Sequence, residues 1–163
     1  MEAFSEGPGR GSKFEVRLPI LVEGPKAKTP EPSERPTIAA HRILVVDDNR
    51  DSATSLALLL KFTGNETRTA HDGLEAVEAA ERFRPDAVLL DIGLPKLNGY
   101  DACRRIREQL WGKHMLLVAL TGWGQEEDRR RSKEVGFDRH MVKPVDLDAL
   151  QAMLAALGDT SRK

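Results

Sequence analysis

Asp47, Asp48, Asp91, Thr121 and Lys143 are the residues of this chain whose types and placement point to chemistry. Each closes a strand-like run. Arg42-Ile43-Leu44-Val45-Val46 leads into Asp47-Asp48-Asn49, Ala87-Val88-Leu89-Leu90 into Asp91, Leu116-Leu117-Val118-Ala119-Leu120 into Thr121-Gly122, and Arg139-His140-Met141-Val142 into Lys143-Pro144. Apolar runs without polar alternation suit strands covered on both faces, as in a parallel sheet. Three carboxylates, a hydroxyl and an ammonium then meet at the carboxyl end of neighbouring strands, where open α/β sheets build their sites. Clustered carboxylates repel one another unless a cation lies among them, and an all-oxygen set with few dedicated protein ligands suits Mg2+. The ammonium and the hydroxyl supply positive charge and a donor suited to a phosphoryl group.

The elements that must hold these residues alternate from His41 onward. Strands are expected over about 42–47, 66–70, 87–91, 115–120 and 138–142, and helices over about 50–63, 73–82, 99–110 and 125–135, with a fifth beginning at Asp146 as its N-cap. The first helix carries Leu56, Leu59, Leu60 and Phe62, and the second Leu74, Val77 and Ala80. The third sets Tyr100, Cys103, Ile106 and Leu110 on one face, and the fifth Leu147, Leu150, Met153, Leu154 and Leu157. The fourth opens on Gln125-Glu126-Glu127-Asp128 and is nearly all polar. The second strand, Glu66-Thr67-Arg68-Thr69-Ala70, is polar enough for a sheet edge. Short connections between alternating strands and helices imply a parallel sheet with right-handed crossovers and helices on both faces, an α/β fold.

In this order and at these strand ends, Asp47-Asp48, Asp91, Thr121 and Lys143-Pro144 resemble the receiver domain of two-component response regulators, over about residues 41–158. The resemblance implies a three-layer αβα fold: a doubly wound five-stranded parallel sheet of order 2-1-3-4-5, flavodoxin-like, with its crevice between strands one and three. It implies that Asp91 is the phosphoacceptor. The donor is then a phosphohistidine, of a histidine kinase or a histidine phosphotransfer domain, whose reactive P–N bond leaves the protein mainly to align the partners and cancel charge. Asp48, Asp91 and the Gly93 backbone carbonyl would ligate Mg2+, and Asp47 would act on the ion through water. Lys143 would pair with Asp91 in the empty site and with a phosphoryl oxygen in the loaded one. Thr121 would donate to another phosphoryl oxygen, aided by the Gly122 N–H, and the Lys143-Pro144 peptide would be cis. Such a domain catalyses its own phosphorylation and turns over no separate substrate.

Three positions vary from the common receiver pattern. Gly93, two residues past Asp91, has no side chain to hold an attacking water, and Trp123, two past Thr121, is a bulky group at the site mouth. Both favour a slowly hydrolysed aspartyl phosphate. His140, three before Lys143, stands where the family usually has Tyr or Phe as a switch. His71 and His114 lack partners at ligand spacing and are expected in water; Arg129-Arg130-Arg131 reads as a solvated face, and Cys103 as core packing.

The N-terminal segment Gly9-Arg10-Gly11-Ser12-Lys13-Phe14-Glu15-Val16-Arg17-Leu18-Pro19 resembles the last glycine box and final strand of a histidine-kinase ATP-binding domain. Phe14, Val16, Leu18 and Ile20 alternate with polar residues as in a half-buried strand, with no partner strand evident nearby. The ATP-holding boxes are absent, so residues 1–20 cannot bind ATP alone, and Gly7, Gly9 and Gly11 do not make a phosphate loop. The expected organisation is that remnant, or a flexible tail, over 1–20; a proline-rich linker over 21–40; the receiver over 41–158; and a tail over 159–163. The chain would then be the C-terminal part of a hybrid sensor histidine kinase.

Composition narrows the alternatives. The 163 residues suffice for one domain plus tails, with 40% hydrophobic and 31% charged residues. A net charge of −1 argues against bulk electrostatic binding of nucleic acid, and nothing after the fifth helix has the length of a helix-turn-helix. The single cysteine excludes an intrachain disulfide and suits a reducing cytoplasm. No apolar run approaches about 18 residues, so this part of the protein is expected not to enter a membrane, and to be a monomer or weak dimer. A haloacid-dehalogenase-type phosphohydrolase also uses an Asp after a strand, but needs a second Asp where this chain has Gly93.

Overall fold

A computed structural model of the chain describes residues 2–5, 12–15, 40–122 and 126–160. It divides into two compact units, Met1–Arg35 and Pro36–Lys163. In the first, β1 (Glu2–Ser5) and β2 (Ser12–Glu15) pair antiparallel, with Glu2 opposite Glu15 and Ser5 opposite Ser12. This corrects the sequence pattern, which placed a strand beginning near Phe14 and found it no partner. Four residues around Ala3-Phe4 are too few to show a period, so the pairing is invisible without coordinates. Val16 to Ile20, the glycines at 7, 9 and 11, and residues 21–39 of the 21–40 linker lie outside the described residues.

The second unit is built on five parallel strands: β3 (Arg42–Val46), β4 (Glu66–Ala70), β5 (Ala87–Asp91), β6 (Leu116–Thr121) and β7 (Arg139–Val142). Their spatial order is β4-β3-β5-β6-β7, which is 2-1-3-4-5 within the sheet. The polar strands β4 and β7 take the edges, and β5, apolar up to its terminal Asp91, takes the centre, buried at every position. Between the strands run α1 (Arg50–Phe62), α2 (Gly73–Phe83), α3 (Gly99–Glu108), α4 (Glu126–Val135) and, last, α5 (Leu147–Thr160). No helix among the described residues is long and apolar enough to cross a membrane.

The pleat sorts the strand residues into two cores. Ile43, Val45, Leu89, Val118 and Leu120 pack with Ala53, Ala57 and Leu60 of α1 and Leu150 and Leu154 of α5. Leu44, Val46, Val88, Leu90, Leu117 and Ala119 pack with α2 and α3 through Ala76, Ala80, Phe83, Tyr100, Ala102, Cys103 and Ile106. Alanines face the sheet from much of α1 and α2, with Leu60 and Phe83 also in the core, and several larger residues fall on the helix flanks. Leu59 (46% exposed), Phe62 (81%) and Leu74 (42%) are therefore in solvent rather than in the core. Leu110 is also exposed, because α3 stops at Glu108 and Leu110 starts a short 3-10 turn. Cys103 is buried, and that burial pushes its thiol up to about 12, which leaves it a packing residue without thiolate character.

Local signals set the helix starts that matter for the strand-end loops. The Asn49 side chain accepts from the backbone N–H groups of Asp51 and Ser52, that of Asn98 from Asp101, and that of Asp146 from Asp148 and Ala149. Each is an N-cap worth about 1 kcal/mol. Asp146 is the cap that the sequence indicates.

Candidate functional site

The register places the strand ends level. Val46 pairs with Leu90, Asp91 with Leu120, and Thr121 with Val142, so Asp47, Asp91, Thr121 and Lys143 emerge along one rim of the sheet. The rim is tied together by the backbone: Lys143 N–H donates to the Thr121 carbonyl at 2.8 Å and Ile92 N–H to that of Leu120 at 3.2 Å. The Lys143-Pro144 peptide is cis.

Lys143 Nζ donates to Asp47 Oδ2 at 2.7 Å and to Asp91 Oδ2 at 2.8 Å. The ammonium thus bridges two carboxylates, adding Asp47 to the pairing with Asp91 that the resemblance implied. The remaining acceptor capacity of both acids is partly used. Asp47 Oδ1 accepts from Asn49 N–H at 2.9 Å and its Oδ2 from the Ser52 hydroxyl at 3.1 Å, while Asp91 Oδ1 accepts from Gly93 N–H at 3.1 Å. Asp47 is 3% exposed and Asp91 9%, so their charges sit largely out of water. Burial works to depress the Lys143 ammonium, but the hydrogen bonds and charges of Asp47 and Asp91 outweigh it and hold its pKa above the ordinary value of 10.5.

Asp48 is exposed beside this pair, and carboxylate oxygens of Asp47, Asp48 and Asp91 lie within 4.8 Å of one another. One ammonium against three carboxylates leaves excess negative charge on hard oxygen ligands. That donor set fits a small divalent cation such as Mg2+.

The other indicated residues fall as follows. Thr121 is 4% exposed, and its Oγ1 lies 2.9 Å from Nε2 of His140, which is half-buried on β7. Gly93 and Gly122 are exposed, and Trp123 lies outside the described residues. His71 is not free in water: it is half-buried, with Nδ1 3.1 Å from the Asp47 carbonyl oxygen. His114 is exposed. Arg129, Arg130 and Arg131 are exposed, though Arg130 pairs with Glu134 and Arg131 lies over the Tyr100 ring.

Residues beyond the strand-end set also shape the rim. Asn49 and Ser52 orient Asp47. Gly99, at the start of α3, packs directly on the loop after β5: a Cβ there would fall 2.7 Å from Ile92 Cα and closer still to the Asp91 carbonyl oxygen. Gly73, at the start of α2, lies as tightly against the Leu97 backbone. The one sequence trace of these contacts is a glycine beside a capping Asn98 or Asp72, too common a pair to signal a close approach.

A family model for the response regulator receiver domain matches residues 43–155. The response regulator MprA of Mycobacterium ulcerans is 39% identical over 116 residues, which cover 71% of this chain and 49% of that protein. This chain thus spans about half the length of the curated relatives it matches. Among solved structures, the receiver domain of sensor histidine kinase PA1611 from Pseudomonas aeruginosa, with a magnesium ion coordinated in its active-site cleft, is 36% identical. It aligns at a TM-score of 0.67, covering 74% of this chain and 99% of that one. The Vibrio cholerae chemotaxis protein CheY4 aligns at a TM-score of 0.68 with 28% identity, covering 73% and 99%. The match runs through all five parallel strands, and the acids, hydroxyl and lysine at their ends are the ones that led to the resemblance. The chain belongs to the response regulator receiver domain family of two-component signalling.

Proposed function

We propose that this chain is the receiver of a hybrid sensor histidine kinase and that Asp91 takes a phosphoryl group from a phosphohistidine. The observation that carries the phosphoacceptor reading is the Lys143 ammonium held at 2.7 and 2.8 Å from Asp47 and Asp91, with Asp48 beside them. Transfer forms a P–O bond to the Asp91 carboxylate and breaks the donor P–N bond, the imidazole leaving as it takes up a proton. Lys143 then exchanges a carboxylate oxygen for a phosphoryl oxygen, and Thr121 and the Gly122 N–H donate to others. Asp47, Asp48, Asp91 and the Gly93 carbonyl would hold Mg2+, which when bound offsets the charge that gathers as two anions meet.

Two features support the hybrid-kinase part. The strand β2 falls within the Gly9–Pro19 segment that resembles the end of an ATP-binding domain, and the PA1611 receiver comes from a sensor histidine kinase. The MprA relatives favour a second reading, a response regulator phosphorylated by a separate kinase; the chemistry at Asp91 is the same in both. The net charge of −1 supports a protein partner rather than nucleic acid.

Acetyl phosphate and Mg2+ should add one phosphoryl group to the wild-type chain and none to Asp91→Asn, as read by intact mass in cold neutral buffer. Equal labelling of the two proteins would reject the assignment. The metal has its own test. Asp48→Asn removes an exposed acid from the cluster, so calorimetric titration should show weaker Mg2+ binding. The metal-free variant should melt at or above the wild-type temperature, because repulsion is relieved. Unchanged Mg2+ affinity, or a clear loss of melting temperature without metal, would count against a cation site at Asp48.

A further inference from the structure

We infer that His140 is a positioning residue for Thr121: its Nε2–H donates into the threonine hydroxyl and frees the single hydroxyl hydrogen for the phosphoryl group on Asp91. The inference rests on the phosphoacceptor reading above. It goes beyond a steric switch, because it assigns the ring a hydrogen bond that Tyr or Phe carbon edges do not make.

The contact follows from register. His140 on β7 pairs with Ala119 on β6, and Thr121 lies two residues further along β6, on the same face of the sheet as Ala119. Diagonal neighbours across parallel strands are within reach only of long side chains. The Ala119 methyl leaves room for the imidazole to lean along the sheet, and Nε2 comes to 2.9 Å from Thr121 Oγ1. Thr121 is 4% exposed, so water does not readily take over the same role.

A hydroxyl offers one hydrogen and two lone pairs. If Thr121 donates to a bare Nε2, its hydrogen is spent on the imidazole. If the imidazole donates, the hydrogen points onward, and a hydroxyl that accepts while donating is the stronger donor. An anionic phosphoryl group on Asp91 selects the second polarity, because it attracts the hydroxyl hydrogen and favours N–H at Nε2. His140 thereby acts on the phosphoryl group through Thr121, without touching it.

A double-mutant cycle tests this on the full chain, with acetyl phosphate and excess Mg2+ as the probe and labelling rate as the readout. His140→Phe should slow labelling about fivefold, the equivalent of one net hydrogen bond. His140→Gln, whose side-chain amide carries N–H to the same place, should stay close to the wild-type rate. In a Thr121→Ala background the His140→Phe change should have no further effect. His140→Leu serves the same purpose if the Phe variant does not fold. Wild-type rates in His140→Phe, equal slowing with and without Thr121, or a Gln variant as slow as Phe would each overturn the inference. A wild-type chain that takes no label overturns the phosphoacceptor reading and this inference with it. A labelled wild type with an additive cycle overturns this inference alone.

Discussion

Lys143→Met should slow acetyl-phosphate labelling of the chain by roughly a hundredfold, in the range measured when one donor to a developing anion is removed. The same change should destabilise the domain. Asp47 and Asp91 are nearly buried and share the one ammonium, so its loss leaves two carboxylates at close range without a counter-charge. Breaking a fully buried pair costs several kcal/mol; the Lys143 side chain keeps 28% of its exposure, so about 2 kcal/mol is expected. The sign of the pH dependence follows from the raised pKa of Lys143. The stability that the ammonium contributes is fully present below the ordinary value of 10.5 and is lost as pH climbs through the higher folded value. The melting-temperature gap between wild type and Lys143→Met should therefore hold steady through neutral pH and narrow only in strong alkali. Labelling at the wild-type rate would remove Lys143 from the proposed mechanism.

Gly99→Ala should be more damaging than its size suggests. The added methyl meets backbone, the Asp91 carbonyl and Ile92 Cα, and backbone cannot turn aside as a side chain can. A loss of about 3 kcal/mol is expected, at the upper end for overpacking by one carbon. The displaced loop carries Asp91, so labelling should slow as well. Gly93→Ala is the control on the same loop: its Cβ would meet only Asp91 Oδ1, at an ordinary 3.8 Å. Thermal melts and labelling rates of the two variants should therefore differ sharply. Similar values would show that the approach of α3 to Asp91 does not govern the site.

The contrast between these two glycines shows what the sequence makes legible. The strand ends are readable because apolar runs in β3, β5 and β6 stop abruptly at Asp47, Asp91 and Thr121, and alternation with helices forces those ends to one side of the sheet. Sheet order and the cis Lys143-Pro144 peptide came with the family resemblance, and both are present. Contacts set by tertiary approach are not readable in the same way. Gly99 and Gly93 look alike in sequence, yet one packs on backbone and the other is open. Leu59 and Phe62 of α1 mislead because size suggested the core, which Ala53, Ala57 and Leu60 hold on that helix. The bridge from Lys143 to Asp47, and the His140 contact with Thr121, join residues 96 and 19 positions apart and needed the sheet register to be seen.

The most direct measurement is the position of the phosphoryl group itself. The full chain would be loaded with acetyl phosphate and Mg2+, reduced with borohydride to convert an aspartyl phosphate to homoserine, and mapped by peptide mass. Homoserine is expected at position 91, with Asp47 and Asp48 unchanged. Homoserine at Asp47 or Asp48 while Asp91 stays intact, or no conversion in a chain shown to be folded, would contradict this expectation.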